Sequence, residues 1–157
     1  MRYNDFHKQL RYKFKHAVKE SCNKEGCKLD LSSLSSYEIT VIDADQYAKR
    51  QGHSGKRCDC FVFFSDATMS VSAVEMKSGR ADMGEALEQI QAGAKECQNL
   101  VRDLSDVKFY PILLARHVDS AEIKILLGRR IRFRGEKYKV IKEKCGAKLK
   151  DIVAKWS

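Results

Sequence analysis

Apolar residues recur at three- and four-residue spacing from the start of the chain: Phe6, Leu10, Phe14, Ala17, Val18 and Cys22. That spacing predicts a helix from a cap at Asn4 or Asp5 to about residue 23, with Gly26 as its stop. Lys8, Arg11, Lys15 and Lys19 fall largely off the stripe. Glu20 lies at its edge, three residues from Ala17, and reads first as a solvated helix side chain that could turn towards a central site.

The period then changes from helical to alternating. Residues 37–42 (Tyr-Glu-Ile-Thr-Val-Ile) read as a first strand, and Asp45 as the cap of a short helix to about residue 50. Residues 61–64 and 71–76 are short β-branched and aromatic runs joined by a polar break, the pattern of a buried hairpin. Asp82 opens a long helix to about residue 102, striped by Met83, Leu87, Ile90, Ala94, Cys97 and Val101, with Gln91 and Gln98 flanking the stripe and Gln89 opposite it. Residues 107–115 form a further strand, in which Pro111 predicts an edge or a bulge. Residues 120–127 read as a short helix behind Asp119 or Ser120. Residues 130–134 and 137–141 alternate around Gly135-Glu136 as a second hairpin, and 146–156 close the chain with an amphipathic helix.

The alternation places charge where strands are usually apolar. Val71, Ala73, Glu75 and Lys77 share one face of their strand, and Asp59, Phe61 and Phe63 share one face of the other. Antiparallel pairing brings Asp59 near Glu75. Two carboxylates at the end of a buried hairpin repel each other and lose hydration, so they call for a cation, and a hard divalent metal fits oxygen ligands. On the second hairpin, Arg130, Arg132 and Arg134 face one way as a comb, opposite Ile131 and Phe133.

Charge distribution sharpens this picture. The net charge is +9, and residues 1–28 and 128–155 carry +5 and +8 while 29–127 carry −4. Basic ends around an acidic centre suit a polyanion held across a metal site; a merely solvated basic surface is the plainer reading. Lys56 and Arg57, just before Asp59, are placed to meet a phosphate backbone. Gly52-His-Ser-Gly-Lys56 lacks the full spacing of a nucleotide phosphate loop.

A single domain of 157 residues is expected, its 43% hydrophobic content being enough for a core. No apolar run approaches a membrane span, and the opening residues lack a signal-peptide core, so a cytoplasmic protein is expected. Its six cysteines then read as free thiols, a zinc set from Cys22, Cys27, Cys58 and Cys60 having uncommon spacing.

The order helix, strand, hairpin carrying Asp59 and then Glu75-Met76-Lys77, helix, strand resembles the PD-(D/E)XK nuclease superfamily. Cys58 stands where that motif has its proline. The resemblance implies a restriction-endonuclease-like αβββαβ core with a mixed sheet over about residues 1–115, to which the basic hairpin and final helix of about 120–157 are appended. It implies that Asp59, Glu75 and the Met76 carbonyl bind Mg²⁺ or Mn²⁺, that Lys77 positions or deprotonates the attacking water, and that Gln91 assists from the helix. The activity implied is phosphodiester hydrolysis, in DNA rather than RNA, with Lys56, Arg57, Arg130, Arg132 and Arg134 along the backbone. Double-strand cleavage by one small site favours a homodimer or a larger complex. The alternatives are a non-catalytic nucleic-acid-binding module, an accessory subunit that cleaves only with a partner, and a simple Glu75–Lys77 salt bridge.

Overall fold

The computed structural model describes residues 1–157 and builds them on one mixed sheet. In chain order the elements are α1 (Tyr3–Lys13), β1 (Val18–Lys19), β2 (Cys22–Lys24), β3 (Cys27–Leu29), β4 (Glu38–Asp43), α2 (Ala44–Arg50), β5 (Cys60–Ser65), β6 (Met69–Arg80), α3 (Met83–Leu100), β7 (Val107–His117), α4 (Ser120–Leu127), β8 (Arg130–Phe133), β9 (Glu136–Lys139), β10 (Ile141–Glu143) and α5 (Leu149–Trp156). The main sheet runs β1-β4-β5-β6-β7-β10, and β2-β3 and β8-β9 are separate hairpins. The ladder is antiparallel from β1 through β6, then parallel through β7 to β10.

Strand alternation sorts the core onto two faces. Phe61, Phe63, Val71, Ala73 and Leu113 pack beneath α1 and α3, together with Ile131 and Phe133 of the basic hairpin. Val62, Phe64, Val74, Ile112 and Leu114 form the other face, covered by Leu29 of β3 and by Leu149 and Ile152 of α5. Residues 120–157 are thus packed into both layers. Gly93 lets α3 approach the sheet, because a Cβ there would overlap the Cys58 sulfur. No helix is long and apolar enough to cross a membrane.

The first helix is shorter than the spacing predicts. It stops at Lys13, and Val18 pairs with Ile42 as the start of an edge strand, while the Ala17 carbonyl accepts the Asp43 amide at 2.8 Å. Phe14, Ala17 and Cys22 remain buried. Their helical spacing therefore reflects burial along a chain that turns back onto the sheet. Asp43, not Asp45, caps α2, accepting the Gln46 amide at 2.9 Å. Pro111 lies in an interior strand, but the β10 ladder begins only at Ile112, so one side of β7 is open at the proline. The second hairpin turns one residue earlier than expected, at Arg134-Gly135, with φ of 51° and 77°.

The cysteines also depart from expectation. Cys22 bonds to Cys60, and Cys27 to Cys145, leaving Cys58 and Cys97 as buried thiols. The partners are 38 and 118 residues apart, so their opposition depends on the β2–β3 hairpin folding across the sheet face.

Candidate active site

The register of the β5–β6 hairpin sets the site. Cys60 stands opposite Val74, and the Asp59 amide donates to the Val74 carbonyl at 2.9 Å, so the next residues outward, Asp59 and Glu75, oppose each other. The antiparallel pair delivers both carboxylates to one end of the sheet, on the face that carries α3.

Their surroundings are unequal. Asp59 keeps 17% of its side chain exposed; its Oδ2 accepts the Met76 amide at 2.7 Å and its Oδ1 lies 3.1 Å from Lys24 Nζ. Glu75 is fully buried, and neither of its oxygens receives a hydrogen bond. Lys77 Nζ stands 3.0 Å from Glu75 Oε2, close enough for an ion pair but outside hydrogen-bond geometry. Burial, reinforced by the negative charge of Asp59, raises the Glu75 carboxyl well above the usual carboxylate range. Lys77 Nζ is fixed from the other side by Gln89 of α3, which accepts its hydrogen bond at 3.0 Å. The Ala86-Gln89-Gly93 row of α3 faces the sheet here, and the close approach at Gly93 brings Gln89 within reach.

Lys24 reaches the same cluster from the β2–β3 hairpin. Burial works against its ammonium, but the bond to Asp59 and the charges of Asp59, Glu75 and Glu25 outweigh it and raise its pKa. A groove of about 630 Å³ opens over Asp59 and Met76, lined also by Lys19, Glu20, Asn23, Asp43 and Arg57. Asp59, Glu75, Met76, Lys77 and Arg57 thus come together as expected, and Glu20 lies on the groove wall just beyond β1. Arg57 is held by Asp45 at 3.1 Å.

Five expected contributors, Gln91, Arg134, Lys56, Arg130 and Arg132, lie elsewhere. Gln91 does not reach Lys77; its amide donates to the Arg132 carbonyl and accepts from the Arg132 amide, at 3.0 and 2.8 Å. It docks the basic hairpin, as does Gln98, which accepts the Arg134 amide at 2.7 Å. The side chain of Arg134 folds inward onto the carbonyls of Val101, Leu104 and Ser105 at the end of α3, so it is no tooth of an exposed comb. Lys56, paired with Glu88 at 3.6 Å, shares a separate shallow cavity of about 340 Å³ with Arg129 and Arg130, while Arg132 is exposed. Gln89 and Lys24 are the site residues that the pattern of the chain missed. The first was legible as a polar position between Ala86 and Gly93; the second depended on a hairpin hidden inside an apparent helix.

Two acidic side chains face each other here, and no group of three or more His, Cys, Asp or Glu is gathered anywhere to hold a metal. The oxygens on offer are those of Asp59, Glu75 and the backbone of Met76. Compared with protein-family models, curated proteins and solved structures, the chain finds no match.

Proposed function

We propose that the chain is a metal-dependent nuclease that hydrolyses phosphodiester bonds, with DNA as its substrate. The observation that carries this reading is Glu75: a fully buried carboxylate with two unsatisfied oxygens, opposite a second carboxylate at the wall of an open groove. Burying such a group without a hydrogen bond, with Lys77 3.0 Å away as its counter-ion, still costs several kcal/mol, on the order of the penalty for a buried ion. A divalent cation between Asp59 and Glu75 removes that cost.

The residues present fit a hard cation such as Mg²⁺ or Mn²⁺: two carboxylates, with the Met76 carbonyl between them in sequence. Bound there, the ion would supply charge relief at phosphorus and acidify a water. Lys77, held by Gln89, stands beside Glu75 to orient that water and to set its charge beside the phosphate. Lys19, Lys24 and Arg57 line the groove among the carboxylates of Glu20, Asp43, Asp45 and Asp59, and are the cations placed to meet a phosphate backbone there. The order α1, β4, β5, β6, α3, β7, with β6 and β7 parallel, supports a restriction-endonuclease-like αβββαβ core.

Incubation with plasmid, linear and single-stranded DNA, with and without Mg²⁺ or Mn²⁺, tests the reading. Metal-dependent cleavage that Glu75→Ala and Lys77→Ala abolish is expected. Cleavage that survives both substitutions rules this site out. A partner-dependent enzyme is the second reading, favoured by the exposed Ile123, Ile125 and Leu127 of α4; cleavage restored by a co-purified protein would select it.

A further inference from the structure

The β2–β3 hairpin is fastened at every side. Cys22 is bonded to Cys60, the residue after Asp59, and Cys27 to Cys145. Its turn, Glu25-Gly26, has φ of 51° and 81°. Glu25 accepts from Ser78 Oγ at 2.9 Å, Arg116 donates to the Gly26 carbonyl at 3.3 Å, and the Lys28 carbonyl accepts the Gly146 amide at 2.8 Å. So many tethers on a two-strand hairpin hold the backbone of Lys24, beside its turn, over the site. From there its ammonium reaches the outer oxygen of Asp59, 3.1 Å away.

The charges around it balance in pairs. Lys24 faces Asp59, and Lys77 faces Glu75. A divalent cation held by the two carboxylates would satisfy both and leave two ammonium groups flanking the seat. The transferring phosphate gains negative charge as water attacks, and a lysine released from Asp59 is placed to meet it.

On the nuclease reading just given, we propose that Lys24 is a second phosphate-contacting lysine of this site, carried on a disulfide-stapled arm. It occupies the outer face of Asp59 until a divalent cation takes that seat, and its charge then passes to the substrate backbone. Lys24 and the ion therefore compete for Asp59.

Calorimetric titration of Mn²⁺ into the DNA-free protein tests the competition. Lys24→Met is expected to tighten Mn²⁺ binding roughly two- to fivefold, the range for losing one partly exposed ion pair. In the presence of Mn²⁺, the salt dependence of KM for DNA should flatten by about one ion. The arm-release variant Cys22→Ser/Cys60→Ser should tighten Mn²⁺ binding in the same direction, and adding Lys24→Met to it should change little more. If wild type binds Mn²⁺, Asp59→Asn abolishes that binding, and Lys24→Met changes neither affinity nor salt slope, the proposal for Lys24 falls while the metal site stands. If neither wild type nor Lys24→Met binds Mn²⁺, the metal site falls and Lys24's role with it. Binding by Lys24→Met alone would show the lysine barring the seat, as proposed.

Discussion

Lys77 of β6 donates its hydrogen bond to Gln89 of α3 at 3.0 Å, whereas Gln91, two residues along, faces the backbone of Arg132. The two glutamines on one helix therefore have separable duties. Gln89→Ala should lower metal-dependent cleavage about tenfold, because Lys77 loses its orientation. Gln91→Ala should leave cleavage within about twofold and lower stability by about 1–2 kcal/mol, since two hydrogen bonds to a strand are lost. Cleavage rates set beside urea midpoints separate the two.

Glu75 presents an opposition between stability and activity. Its buried carboxylate has no hydrogen-bond partner. Glu75→Gln should raise the stability of the metal-free protein by about 1–3 kcal/mol, because the charge that burial penalises is gone. The same variant should have no detectable cleavage. Metal-free chemical denaturation and a plasmid assay on one preparation check both halves.

Arg134 is a structural residue among basic neighbours. Its guanidinium donates to the Val101, Leu104 and Ser105 carbonyls, where α3 ends. Arg134→Met should cost about 2 kcal/mol, as expected when carbonyls at a helix end lose a charged donor. It should leave the salt dependence of DNA binding alone. Arg130→Ala and Arg132→Ala should each reduce the salt slope by about one, with little change in stability.

How much of this was legible in the chain follows from the same residues. The β5–β6 hairpin, the α3 stripe and the opposition of Asp59 and Glu75 follow from local alternation, and the register bears them out. The end of α1 does not: Phe14, Ala17 and Cys22 keep an apolar spacing while Phe14 and Ala17 lie on the loop after α1 and Cys22 on β2. A short edge strand that gains its order from β4 leaves little local signal. With β2 and β3 hidden, Lys24 had no visible route to Asp59, and Cys22 none to Cys60. The choice between Gln89 and Gln91 turned on where the sheet meets α3, which Gly93 decides through its close approach to Cys58 and Ala73.

His7 makes acid stability a test of the fold beneath α1. It is fully buried, with Nδ1 2.8 Å from Thr40 Oγ1 and Nε2 2.9 Å from Ser65 Oγ. Burial pushes its pKa from 6.5 down to about 4; nearby Glu38 opposes that shift and Arg11 adds to it. The folded chain thus holds fewer protons on this group than the unfolded chain between those values. Stability is fully present above pH 6.5 and should fall as pH drops towards 4, by about 3 kcal/mol from this group. His7→Gln should remove that part of the slope, as read from denaturation midpoints between pH 7 and 4.

On the proposed function, Asp59 and Glu75 together hold a divalent cation. Crystals soaked in Mn²⁺ and measured for anomalous scattering test it most directly. A peak is expected between the two carboxylates, within coordination distance of the Met76 carbonyl, with Lys24 Nζ moved away from Asp59. Crystals that show no peak there, with Lys24 still bonded to Asp59 under saturating Mn²⁺, would contradict it.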